Sequence, residues 1–297
     1  MRLLVTGCHG QLARSLLERA TGRPGLETIA LGRPRLDLER PETIERALRS
    51  AAPDVVVNAA AYTAVDDAES EPDKAMLVNA EAAGALARAA AGIGARLIQI
   101  STDYVFDGAS PIPYDENAAT GPINAYGRSK LAGEEAVRRD APDHLILRTS
   151  WVYSPWGRNF VTTMVRLAES RGEVGVVSDQ YGNPTSALDL ADAILAMALR
   201  WKTDDRIGLG QIYHVAGGGS ATSWFGLASR VFAECARLGL PTATASPILT
   251  ADWPTAAVRP HNSALDCSRF KRDFGHALPD WRASATEVVA RLAGERG

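Results

Sequence analysis

Short apolar runs alternate with longer amphipathic stretches through the first half of the chain. Leu3–Thr6, Thr28–Leu31, Asp54–Asn58, Arg96–Ser101 and Leu145–Trp151 are apolar almost without interruption, the mark of strands covered on both faces. Between them Gln11–Ala20, Pro41–Ala51, Pro72–Ile93 and Tyr126–Arg139 carry helical patterns, with Pro41 and Pro72 where a first helical turn tolerates proline. The alternation predicts an α/β fold, a Rossmann-like doubly wound parallel sheet with helices on both faces. The Ala-rich stretch Ala82–Ala91 suits a helix packed closely on that sheet.

Beyond Trp151 the pattern loosens. It predicts a helix over Phe160–Ser170, a strand at Val174–Val177, a loop with Gly182 and Pro184, a helix over Ser186–Arg200 and a strand at Ile212–Val215. Helices near Trp224–Leu238 and Trp281–Leu292 flank a loop around Pro254 and Pro260. Residues 1–153 thus read as the sheet domain. Residues 154–297 read as a smaller C-terminal lobe, with segments near 174–217 returning to the core.

Composition narrows the partners. A chain of 297 residues, 46% hydrophobic and 23% charged, can bury a large core as one large domain or two modest ones. A net charge of -3 gives no reason to invoke nucleic acid or an acidic membrane. No apolar run is long enough to span a bilayer, and the N-terminus turns to glycine too early for a signal peptide. Cys8, Cys235 and Cys267 lack metal-type spacing and read as reduced thiols of a cytoplasmic protein. Small molecules or copies of the chain itself remain as partners, with a monomer or homodimer expected.

Three segments carry candidate chemistry. Tyr126 and Lys130 lie four residues apart, one turn along one face of a helix. The pair is either a solvated face or an acid/base for a carbonyl and an alcohol, the ammonium lowering the phenol toward a usable value. Lys stands only at 74, 130, 202 and 271 among 32 Lys+Arg, so Lys130 has been kept where arginine is the habit. Next, Thr6-Gly7-Cys8-His9-Gly10-Gln11-Leu12-Ala13 joins the first strand to the first helix. Gly7, Gly10, Gln11 and Leu12 are placed to cradle a dinucleotide pyrophosphate, unless the turn holds no ligand. At the second strand end, Arg33 followed by Asp37 and Leu38 leans toward NADPH over NADH; a solvent-exposed arginine is the alternative. Finally, Ala59, Ala60 and Ala61 end the third strand and Thr102 the fourth, where open α/β sheets bind ligands. The small alanines would let backbone pass a flat cofactor. Thr102 could donate to a substrate carbonyl or serve as a cap.

Together these segments resemble the extended short-chain dehydrogenase/reductase family. Asn58–Asp66 (NAAAYTAVD), Ser101–Gly108 (STDYVFDG), Arg148–Tyr153 (RTSWVY), Arg158–Val161, Asp179–Thr185 (DQYGNPT) and Arg259–Ser263 narrow the likeness to the dTDP-4-dehydrorhamnose reductase family. The resemblance implies that residues 1–153 bind NAD(P)H and that a 4-keto sugar nucleotide is reduced to dTDP-L-rhamnose. It makes Tyr126 the proton donor, Lys130 the holder of the nicotinamide ribose and Thr102 the group polarising the C4 carbonyl. Val65, Asp103, Tyr104 and Trp151 would line the sugar pocket, and Asn159 and Arg259 would meet the nucleotide end. Position 62 is Tyr where the family often has His. Some members dimerise around magnesium held by glutamates; the matching positions are Ser15 and Leu188, so no metal bridge is expected. A sugar-nucleotide epimerase or 4,6-dehydratase on the same scaffold is the rival enzyme. Asp103-Tyr104 stands where such a dehydratase carries Asp-Glu. A non-catalytic cofactor-binding regulatory subunit is the other alternative, though such proteins commonly lose part of the Thr/Tyr/Lys set.

Overall fold

The computed structural model describes residues 1–294. Six strands, β1 (Arg2–Thr6), β2 (Glu27–Leu31), β3 (Val55–Asn58), β4 (Arg96–Thr102), β5 (His144–Thr149) and β6 (Gln211–His214), form one parallel sheet. Their order is β6-β5-β4-β3-β1-β2. Because side chains alternate along a strand, each β-run feeds two cores. Leu3, Val5, Val55, Val57, Ile98, Leu145 and Leu147 meet helices α1 (Gln11–Ala20) and, later in the chain, the helix Ala187–Arg200. Leu4, Val56, Leu97 and Ile146 meet α2 (Glu42–Ala51), α3 (Ala82–Gly92) and α4 (Ala125–Asp140) on the other face. Ala82, Ala83, Ala87 and Ala90 of α3 are buried in that second layer, as a close-packed alanine helix requires.

The chain runs from β1 to β2 on one side, then crosses to β3 on the other. That reversal opens a crevice at the carboxyl ends of β1 and β3, the usual ligand position in open α/β sheets. A third core, with Tyr153, Val161, Leu227, Val231, Phe232, Trp281 and Val288, fills the C-terminal lobe.

Four differences from the sequence expectations have physical causes. The run Leu145–Trp151 is not one strand: β5 ends at Thr149, and Trp151 takes φ 49, a left-handed conformation that breaks the ladder before Val152–Tyr153. The long helix from Pro72 is continuous to Gly92 but opens into a π turn at Leu77–Glu81. A strand at Thr244–Ile248, paired with Glu173–Val177, escaped notice because Pro247 and mixed polarity hide it; proline is tolerated in such a two-stranded edge. The helix Ser268–Phe274 is short and buries only Phe270, leaving almost no periodic signal before Gly275 closes it.

Candidate active site

The crevice is built by local constraints. Gly7 sits at φ +86, a conformation that L side chains rarely adopt, and its amide donates to the Leu31 carbonyl at 2.7 Å. The turn therefore tucks against β2 and releases the chain into α1 with Gly10 as an N-cap that has no side chain to block the helix end. A Cβ at Gly10 would meet nothing within 4 Å, so the space before the first-turn amides of α1 is open. Those amides lack helical acceptors and favour an anion. Thr6 fastens the two sides of the crevice: its hydroxyl donates to Asn58 Oδ1 at 2.7 Å and accepts from the Ala60 amide at 3.0 Å. Ala59, Ala60 and Ala61, only partly covered, floor the opening. A glycine turn and a helix end with open space before its amides have the chemistry to fit a dinucleotide pyrophosphate.

The other expected cofactor residues divide. The side chains of Leu12 and Leu38 are buried in the two sheet cores, so only their main chain can face a ligand. Gln11 spends its side chain across the lobes, accepting from Ser154 Oγ at 2.8 Å and donating to the Val152 carbonyl at 3.4 Å. Asp37 closes a turn by accepting from the Glu39 amide at 3.1 Å. Arg33 projects into solvent past the end of β2, with a loose 3.7 Å pairing to Glu39.

The chemical groups gather at the end of β4. Thr102 is its last residue and caps the following turn, accepting from the Tyr104 amide at 3.2 Å and donating to Asp103 Oδ1 at 2.9 Å. Helix α4 brings Tyr126 alongside because Gly127 lets it approach the turn. A Cβ there would stand 2.1 Å from the Tyr104 carbonyl oxygen. Asn124 caps α4, accepting from the Gly127 amide at 2.8 Å. The rings of Tyr126 and Tyr104 meet edge to face, centroids 5.8 Å apart.

Electrostatics corrects one expectation. The Tyr126 phenol is not lowered by Lys130. Loss of solvent pushes it up to about 12, while the Thr102 hydroxyl pulls the other way and Asp103 adds to the rise. It stays protonated at neutral pH, the form a proton donor needs. Burial instead lowers Lys130 to about 8, opposed by Glu134, and its ammonium donates to the Ile100 carbonyl at 2.7 Å. Asp103 is buried and raised to about 7, again by desolvation, against the pull of Ser263 and Thr102.

Of the expected sugar-pocket residues, Asp103 and Tyr104 stand beside Tyr126, and Val65 lies partly exposed in the loop after β3. Trp151 stacks on Trp224 with centroids 3.5 Å apart. The nucleotide-end candidates are already engaged. Asn159 caps the helix Phe160–Leu167, and its amide donates to the Ser154 and Trp156 carbonyls. Arg259 forks onto Asp66 at 3.0 and 2.7 Å, which holds the Asp66 carboxyl below the usual range. Tyr62 turns its hydroxyl to Glu71 at 2.6 Å. Sequence reasoning missed Asp66 and Asn79. Asn79 sits in the π turn, bonds Tyr62 main chain and donates to Ser129 Oγ at 2.9 Å, tying that turn to α4. A helix interrupted by a polar residue facing its neighbour leaves no local signal in one sequence.

A switch-point crevice with a glycine turn, beside a Thr–Tyr–Lys group at the next strand end, defines the class: a short-chain dehydrogenase/reductase of the extended type. The RmlD substrate binding domain family matches residues 1–293. A dTDP-4-dehydrorhamnose reductase of Sinorhizobium fredii is 49% identical, covering 98% of both chains. Among solved structures, the dTDP-4-dehydrorhamnose reductase of Clostridium acetobutylicum aligns with TM-score 0.89 at 35% identity, over 98% of this chain and 99% of its own. That of Bacillus anthracis, in complex with NADP, aligns with TM-score 0.87 at 34% identity over 99% of both. The chain belongs to the dTDP-4-dehydrorhamnose reductase family.

Proposed function

We infer that this protein reduces the C4 ketone of dTDP-4-dehydro-L-rhamnose to dTDP-L-rhamnose with NAD(P)H. The observation that carries the reading is the placement of Thr102, Tyr126 and Lys130 together, next to a crevice fitted for a dinucleotide. The reduced nicotinamide supplies the hydride when bound. The chain's own groups supply everything else. Gly7, Gly10 and the first turn of α1 would hold the pyrophosphate, and Ala59–Ala61 would let the cofactor pass close to the main chain. Tyr126, protonated at neutral pH, gives its proton to the oxygen at C4 as the carbonyl becomes an alcohol. Thr102 turns its hydroxyl from Asp103 to that same oxygen, so the developing charge meets two donors. Lys130, now donating to the Ile100 carbonyl, would hold the nicotinamide ribose and place a positive charge near the phenol that must regain its proton.

NADPH is the preferred form in this reading, because Arg33 stands solvated where a 2′-phosphate would lie and no carboxylate ends β2. Residues 1–153 serve the cofactor and also bring Trp151, Asp103, Tyr104 and Val65 to the sugar, while 154–297 form the smaller lobe that completes the substrate side. Asn159 and Arg259 reach the nucleotide only by giving up their present partners. Among the described residues no helix is long and apolar enough to cross a membrane, and a cytoplasmic site of action fits this soluble-substrate chemistry.

The test is a coupled assay. Purified protein receives dTDP-4-keto-6-deoxyglucose together with a 3,5-epimerase and NADPH or NADH. Loss of nicotinamide absorbance with dTDP-L-rhamnose as product is expected. Bound cofactor that is neither consumed nor released, with epimerised sugar as product, would replace this reading with an epimerase.

A further inference from the structure

We propose that Glu134 and Arg148 are positioning residues for Lys130, Glu134 sustaining the ammonium charge and Arg148 moderating Glu134. The inference rests on the cofactor role given to Lys130 above. Glu134 follows Lys130 by four residues on α4, so both side chains leave the same face of the helix. That face is pressed onto the sheet. Glu134 and Arg148 are 2% and 3% exposed, and Lys130 is 4% exposed.

Glu134 is held from two sides. Arg148 on β5 forks onto Glu134, Nε to Oε1 at 2.9 Å and Nη2 to Oε2 at 2.7 Å. Ser101 Oγ donates to Oε1 at 2.5 Å, and the next residue back, Ile100, offers the carbonyl that receives Lys130. Arg148 also lies over the Phe106 ring at 5.1 Å, which holds its plane. Other elements facing Lys130 bring little further charge. Tyr126 on its own helix is a neutral phenol at pH 7, and Asn79 in the π turn reaches it only through Ser129. Thr102 ends β4 and Asp103 opens the turn that follows it, on the substrate side.

Stability alone does not explain such a cluster. Desolvating an ion pair costs several kcal/mol per ion, so aliphatic side chains of similar volume commonly do as well or better. The neighbouring contact between α4 and β5 is aliphatic, through Val137 and Ile146. Along this contact charge replaces aliphatic packing where Lys130, Glu134 and Arg148 meet. A plus–minus–plus row keeps an ammonium charged in a dry site, where burial already draws it down to about 8.

The two partners should act with opposite signs, which mere damage to packing would not produce. The dissociation constant of NADPH is measured by fluorescence from pH 6 to 10. The parent should bind more weakly above a midpoint near 8, and Lys130→Arg should abolish that limb. Glu134→Gln should move the midpoint down by about one unit and Arg148→Gln should move it up, on the usual scale for gaining or losing a nearby charge. Arg148→Lys, which keeps the charge, should leave it in place. If the Gln variants do not fold, Glu134→Asp, with its carboxylate withdrawn by one methylene, should still lower the midpoint. Midpoints that stay fixed, or that move the same way in both variants, overturn the proposal. Failure of the parent to bind either NADPH or NADH at any pH would instead refute the function itself.

Discussion

In the proposed mechanism a single phenol, that of Tyr126, bears most of the chemistry. Tyr126→Phe keeps the ring against Tyr104 and removes only the hydroxyl, so turnover should fall by about 10²-fold or more with substrate affinity nearly unchanged. Parent-like turnover in that variant would remove Tyr126 from the mechanism. Asp103 gives a second test, on stability. Burial raises its folded value from 3.8 to about 7, so the protonated form is the one the fold favours. Its contribution is complete below pH 4 and is lost as pH rises through 7. Asp103→Asn cannot ionise, so its melting temperature should gain on the parent between pH 4 and 8. A difference that is flat with pH would contradict the burial argument. Tyr126, Lys130 and Thr102 were legible in the sequence because their spacing and strand-end positions are local. The direction of the phenol shift was not, since desolvation depends on chains that pack from elsewhere, and it outweighs the nearby cation. Asn159 and Arg259 show the same limit: their types suit a nucleotide, yet tertiary partners hold both.

At the level of elements, the decisive contact is the seating of α4 on the Thr102–Val105 turn. Gly127→Ala should push the helix off the Tyr104 carbonyl, costing about 1–3 kcal/mol of stability by overpacking, with a larger loss of turnover as Tyr126 moves. Denaturant unfolding and steady-state kinetics measure the two effects; an unaltered variant would mean that the approach has slack. Gly7→Ala should weaken NADPH binding because φ +86 is strained for alanine. Strands buried on both faces were legible as continuous apolar runs, and helix α1 matches its predicted bounds. The break at Trp151 was not, because an apolar side chain gives no warning of a left-handed backbone held by a stack on Trp224. The π turn around Asn79 was hidden for a similar reason: it registers one helix against another.

For the whole molecule, sheet order was the part legible only as a class. Alternating patterns require a parallel sheet, but the crossing from β2 to β3 past β1 is set by packing of distant runs. The same packing bears on assembly. Ser15 and Leu188 are both buried, on α1 and on the helix Ala187–Arg200, and neither offers a carboxylate to a shared cation. Gel filtration should therefore give one elution volume with and without chelator, and a chelator-sensitive dimer would contradict this. The central claim is that hydride passes directly from the nicotinamide to the sugar carbon faced by Tyr126 and Thr102. NADPH deuterated at C4 of the nicotinamide, on either face in separate runs, tests it most directly. One of the two should deliver one deuterium to C4 of the product sugar, seen by proton NMR and mass spectrometry. Product sugar carrying no deuterium in either run would contradict it.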